Sequence, residues 1–211
     1  MARTPGRPAA TSDTPSREQL LNLAFNAFCS HGFDGVSIRK LAKSIGVSDS
    51  LFIHHFKSKK QLWFEVVDTH LEQEFQQLIQ QLRNNQQTQL PLDLLKSYIK
   101  NMIEVASNKP AMFQLIFSEL EQENERSQYV REKYLRPFLT AMDHALEQCV
   151  EEKHIAPMSN TTLHTMMLGS VSMILKPGFL YQGFDPQDHS ISNRSQELVD
   201  FLFRGMGVDP R

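Results

Sequence analysis

Twenty consecutive residues constrain this chain more than any others: Ser37-Ile38-Arg39-Lys40-Leu41-Ala42-Lys43-Ser44-Ile45-Gly46-Val47-Ser48-Asp49-Ser50-Leu51-Phe52-Ile53-His54-His55-Phe56. They read as two short helices joined by a glycine-centred turn. Ser37 and Ser48 each stand where the orphan amides of a first helical turn need an acceptor, and a serine hydroxyl supplies one. Gly46 can take the left-handed conformation that ends a helix, and Val47 is the apolar residue that packs back beyond it. Leu41, Ala42 and Ile45 share one face, with Arg39, Lys40 and Lys43 on the other. Two helices locked at a steep angle, with cations outside, are what the major groove of DNA accepts.

The run that follows, Phe56-Lys57-Ser58-Lys59-Lys60-Gln61-Leu62, opens a third helix. Ser58 and Gln61 have the spacing of a capping box. Lys57, Lys59 and Lys60 gather at a helix start, where free amides and the helix dipole favour phosphate. From Arg17 to Leu62, with Gly32-Phe33, the turn at Gly46, His54-His55-Phe56 and the Lys-Ser-Lys after it in one register, the chain resembles the DNA-binding domain of TetR-type (tetracycline-repressor-like) transcription regulators. The resemblance implies an all-α protein. An N-terminal three-helix helix-turn-helix domain would precede a larger C-terminal helical domain for ligand binding and dimerisation. It also implies a homodimer on double-stranded operator DNA, with the last two helices of each subunit forming a four-helix bundle. Here those are Thr161–Leu175 and Asn193–Met206, where Gly169, Ser170 and Ser172 would permit close approach. The DNA contacts expected on this basis come from Ser37, Arg39, Lys40, Ser48, Asp49, Ser50, Ile53, His54, His55, Lys57 and Lys59. Arg39 would meet a base edge or phosphate, Lys59 a phosphate, and Ser48, Asp49, Ser50 and His54 the groove floor. Two positions depart from the family's pattern: Ile53 stands where a Tyr is usual, and Asp49 where Lys, Gln or Pro is common.

Charge agrees with this division. Residues 1–60 hold nine Lys/Arg against four Asp/Glu, and residues 61–211 hold thirteen against twenty, within a net charge of −2. The cations lie where the reading motif is, and the acidic remainder suits a body that stays off the phosphates. Hydrophobic content of 40% with 22% charged residues is ordinary for a globular protein. No apolar run reaches membrane-spanning length and the N-terminus has no signal-peptide pattern, so no membrane association is expected. Cys29 and Cys149 sit among apolar helical residues, which predicts buried thiols and a reducing, cytoplasmic setting.

The chain divides into a flexible basic arm (1–15), a DNA-binding domain (16–62) and an effector-binding and dimerisation domain (63–211). Gly6-Arg7-Pro8 in the arm resembles the core of an AT-hook, so it reads either as a loose tail or as a minor-groove arm. The first helix is expected from Ser16 to Ser30, with Gly32 as its stop. Helical spacing then places Leu62, Val66, Leu71, Phe75, Leu78 and Leu82 on one face. Further helices are expected from Pro91, from Pro110, and along Val130, Tyr134, Phe138, Met142, Ala145 and Cys149, where Pro137 should kink the helix. Glu119 to Glu125 reads as an acidic connector, and Pro177-Gly178 as the end of the next-to-last helix.

Tyr98, Met102, Phe113, Phe117, Tyr134, Phe138, Met142, Met166 and Met167 are candidate lining residues for an apolar small-molecule effector, because Met and aromatic side chains adapt to variable ligands. Plain helical core explains the same stripe. Adjacent His54 and His55 point about 100° apart on a helix and cannot easily share an ion, so no metal is expected. No cofactor is expected either, and no phosphate loop or nucleophile elbow indicates an enzyme. The reading is a repressor that a mostly apolar ligand releases from its operator. Two others stay open: an activator of the same fold, and a helical enzyme or binding protein that has lost operator binding, for which Asp49 and Ile53 speak.

Overall fold

The computed structural model describes residues 15–85, 90–175 and 191–208, and among these every regular element is a helix. The helices are α1 (Arg17–Gly35), α2 (Ile38–Ser44), α3 (Asp49–Phe56), α4 (Lys59–Asn85), α5 (Pro91–Asn108), α6 (Pro110–Leu120), α7 (Glu125–Val130), α8 (Arg136–Glu151), α9 (Asn160–Leu175) and α10 (Ile191–Gly205). A π turn, Arg131–Leu135, joins α7 to α8. The arm 1–14 and the Pro177-Gly178 stop lie outside the described residues.

Local chemistry accounts for most of these boundaries. Ser16 and Gln19 form a reciprocal capping box at α1, with Gln19 N–H donating to Ser16 Oγ at 3.2 Å and Ser16 N–H to Gln19 Oε1 at 2.7 Å. Gly32 takes φ 65, but the chain resumes helical turning beyond it to Gly35. The expected stop is therefore a break within α1, closed by Val36 N–H donating to Phe33 O at 3.2 Å. At α4, Gln61 N–H donates to Ser58 Oγ at 3.0 Å. The Gln61 side chain turns to Glu65 instead of reaching back, so half of the expected box forms. Pro91 and Pro110 open α5 and α6, where a missing N–H costs nothing.

Two expectations are corrected. Glu119 is not part of a solvated connector: it lies within α6 and is 5% exposed. Asn124 then caps α7, accepting from the Arg126 and Ser127 amides at 2.8 and 3.0 Å. Pro137 does not simply kink a helix. The π turn ahead of it shifts the ladder, so that Arg136 N–H donates to Arg131 O, five residues back. That displaces the carbonyl the proline ring would strike. The apolar stripe survives: Val130, Tyr134, Phe138, Met142, Ala145 and Cys149 are all buried.

One continuous core runs from the reading motif into the body. Leu20, Ala24 and Phe28 of α1, Phe52 and Phe56 of α3, and Leu62, Trp63 and Val66 of α4 are all 0% exposed. Each large apolar side chain so buried stabilises the fold by roughly 1.5–3 kcal/mol. Helix α1 packs on α4 and α6, α5 on α8 and α10, and α9 on α6, α5 and α10. By its 27 residues α4 spans about 40 Å, from the base of the reader into the body. Among the described residues no helix is long and apolar enough to cross a membrane, and no three His, Cys, Asp or Glu side chains gather as a metal set. Burial pushes the thiols of Cys29 and Cys149 up to about 11, with Glu152 adding to the effect at Cys149.

Candidate nucleic-acid interface and effector cavity

The turn between α2 and α3 is set by its backbone. Val47 N–H donates to Ala42 O at 3.0 Å and Gly46 N–H to Lys43 O at 3.2 Å, with Gly46 at φ 71. These are the paired bonds of a Schellman closure. A Cβ on Gly46 would meet nothing within 4 Å, so Gly46→Ala should cost only the left-handed backbone term, about 1 kcal/mol in urea unfolding. A loss above about 3 kcal/mol would show that something beyond the backbone holds the turn.

Phe52 and Phe56 anchor α3 from below, and its other side is open. Ser48, Asp49, Ser50, Ile53 and His54 are all exposed, Ile53 by 53%. His55 is half-buried, its ring 5.9 Å from that of Phe56. Arg39, Lys40 and Lys43 are exposed along α2, and Ser37 is half-buried. Neither Ser37 nor Ser48 caps its helix as expected. Ser48 Oγ lies 2.7 Å from Ser50 Oγ, a short-range hydroxyl pairing that competes with the amide. Lys57, also exposed, holds φ 61 and ψ −41 while Ser58 N–H donates to Phe56 O at 2.6 Å. This tight turn reverses the chain between α3 and α4 in a conformation that costs a non-glycine residue.

Reader and body meet at Phe33. Two cations stand over its ring, Lys59 Nζ at 4.3 Å and Arg126 Cζ at 3.7 Å from the centroid. Arg126 also pairs with the buried carboxylate of Glu119 at 3.0 Å, and Asn124 donates to Glu119 at 2.8 Å. Lys60 pairs with Glu125 of α7 at 3.0 Å. The Lys59 ammonium thus rests over the ring of Phe33, a cation–ring attraction.

Inside the body lies an apolar cavity of about 20 Å³, lined by residues that include Phe75, Leu78, Met102, Phe113, Phe117, Tyr134, Phe138 and Leu168. On its α4 side the Tyr134 hydroxyl donates to Asp68, which also accepts from Tyr129 at 2.8 Å and pairs with Lys133 at 3.0 Å. Burial, then the neighbouring carboxylate, raises the Tyr134 hydroxyl above its ordinary value and keeps it a donor.

The bacterial regulatory protein model of the tetR family matches residues 20–66, the segment that forms most of α1, all of α2 and α3, and the start of α4. Residues 20–66 thus carry a DNA-binding segment similar to that of the tetR family. The chain is 38% identical over 64 residues to the transcriptional repressor KstR2 of Mycolicibacterium smegmatis, covering 30% of this chain and 29% of that relative. The chain therefore spans under a third of the length of that curated relative. Its fold extends much further. The structure of AibR in complex with isovaleryl coenzyme A and operator DNA superposes with TM-score 0.68 at 17% identity, over 88% of this chain and 97% of that one. FadR of Bacillus subtilis in complex with stearoyl-CoA gives TM-score 0.63 at 17% identity, over 90% and 99%. At such identity the likeness is one of fold.

Within the body, Met102, Phe113, Phe117, Tyr134 and Phe138 come together around the cavity. Tyr98, Met142 and Met167 are buried but do not line it. Tyr98 stacks on Phe138 and donates to its carbonyl at 2.8 Å. Met166 points away, 39% exposed on α9. Helical spacing assigns residues to a face, but whether that face meets a cavity, a neighbouring helix or solvent depends on what packs there. The contributions of Phe33, Asp68, Glu119 and Arg126 escaped the sequence reading. Phe33 and Asp68 find their partners far along the chain, and Glu119, though only a few residues from Asn124 and Arg126, is an acid of the kind that ordinarily belongs to solvent.

Proposed function

We propose that this chain is a DNA-binding transcriptional regulator, a repressor that a small, mostly apolar ligand releases from its operator. The observation that carries the reading is α3 itself. Its apolar side is fully buried, while a polar face of Ser48, Asp49, Ser50 and His54 is left open beside the exposed cations of α2. A surface built so enters a major groove, with cations meeting the flanking phosphates. Residues 16–62 serve as reader, and residues 63–211 bind effector and dimerise. Arg39, Lys40, Lys57, Lys59 and the half-buried Ser37 supply flanking contacts. Ile53 and His55 add contacts at the edge of the reading face, and Asp49, an acceptor when ionised, favours a cytosine amino group.

The cavity supports an effector whose buried part is hydrocarbon. A polar group placed there would lose its water without gaining a partner. Structural neighbours solved with acyl-coenzyme A ligands point the same way. The partner subunit docks on α9 and α10, where Met166, Gly169 and Phe201 are exposed.

The test is fluorescence anisotropy on DNA flanking the chain's own gene, with and without acyl-coenzyme A thioesters. Arg39→Ala should weaken binding by about 1–3 kcal/mol, the usual worth of one such contact, and leave the melting temperature unchanged. Unchanged affinity at physiological salt would remove Arg39 from the reading surface. No binding to any flanking duplex would overturn the regulator reading.

A further inference from the structure

A cavity of about 20 Å³ has room for about one water molecule, far less than an acyl chain needs. An effector can enter only if a wall moves. The lining side chains are apolar with one exception, Tyr134, whose ring forms wall while its hydroxyl is bonded to Asp68. Tyr134 stands in the π turn, a rare single-turn break in helical register of the kind frequent at functional sites. Asp68 belongs to α4, nine residues from Lys59, or about 14 Å along the helix. Lys59 in turn holds Phe33 at the base of the reader.

We propose that Tyr134 transmits occupancy of the cavity to the reading head: a filling ligand displaces its ring, the hydroxyl leaves Asp68, and α4 is freed to reposition the reader. This rests on the effector reading above and specifies its route. Tyr129 serves as the internal contrast. It too donates to Asp68, through bonds of 2.8 Å to both carboxylate oxygens, but it faces a surface hollow rather than the cavity. Loss of its hydroxyl weakens the same cluster without touching the wall.

The test replaces the ligand with a fixed side chain. Ile116→Phe and Leu168→Phe each add bulk to the cavity, one from α6 and one from α9, so failure of either to fold leaves the other. Affinity is measured on a duplex that the wild-type protein selects from a random pool, with thermal melting to confirm folding. Each filling variant should weaken DNA binding at least tenfold with Tyr134 present, and less than twofold in a Tyr134→Phe background. Tyr129→Phe should leave the tenfold effect intact. Equal losses in the Tyr134 and Tyr134→Phe backgrounds would overturn the proposal and favour a direct route from α6 to α1. So would abolition of the effect by Tyr129→Phe. Stearoyl-coenzyme A then separates the two readings. A wild-type protein that ignores it while the filling variants behave as expected retains the route and loses the acyl-ligand class. A wild-type protein released by it, with Tyr134→Phe released equally, overturns the route alone.

Discussion

Phe201→Glu should convert the protein into a folded monomer that no longer holds a palindromic operator. Helix α10 has two apolar faces. Leu202 and Phe203 are each 2% exposed and lock it to the body, whereas Phe201, just before them, is 68% exposed. An apolar ring so presented indicates a surface that a second copy covers. Its replacement touches none of the monomer's own packing, and surface changes of that kind usually stay within about 0.5 kcal/mol. The loss falls on assembly. Two reading helices must enter grooves about 34–36 Å apart, and one body cannot place both. A lone head keeps little beyond non-specific affinity, on the order of a thousandfold or more below specific binding. Sedimentation velocity and operator titration read the two outcomes. A Phe201→Glu protein that remains dimeric, with operator binding intact, would place the interface on another face.

The second large effect is expected at Glu119. This carboxylate is buried, pairs with Arg126 at 3.0 Å and accepts from Asn124 at 2.8 Å. Glu119→Ala removes the counter-charge from a guanidinium held against Phe33 and close to Trp63. Breaking one side of a buried ion pair typically costs about 3–5 kcal/mol, because the remaining charge stays desolvated. Urea unfolding should show that loss, and DNA binding should weaken with it, since the same arginine braces Phe33 of the reader. Replacing both partners, as in Glu119→Met with Arg126→Met, should recover most of the stability. It should not recover the bracing of Phe33. A loss below about 1 kcal/mol for Glu119→Ala would mean that water reaches Arg126 and the pair is superficial.

Several features here follow from chemistry within a few residues, and those were legible in the sequence alone. The turn at Gly46-Val47 is one, since only a residue tolerant of positive φ closes a helix that way. The prolines that open α5 and α6 are others. So is the apolar stripe from Val130 to Cys149, whose period reports one buried face however the chain is packed. The split of charge between reader and body was also readable. Where a local choice had two near-equal outcomes, packing decided. Ser48 had both an amide and a neighbouring hydroxyl within reach and took the hydroxyl. Pro137 is accommodated by a π turn rather than by a simple bend, which keeps the stripe on the core. Features that join distant segments were not readable at all. Glu119 looked like one more solvated acid until α6 and α7 folded against Phe33. Asp68 gained its place only when α7 and the π turn brought Tyr129, Lys133 and Tyr134 over α4. Met142 and Met166 share a residue type and a helical period, yet one is core and the other faces outward, because periodicity names a face and not its neighbour. The sequence by itself determined that the chain is helical and which segment carries the reading motif. Only the tertiary structure decided which charges are buried, which apolar side chains of α10 stay exposed, and which tyrosine touches both the cavity and the helix leading to the reader, since each depends on how separate helices pack together.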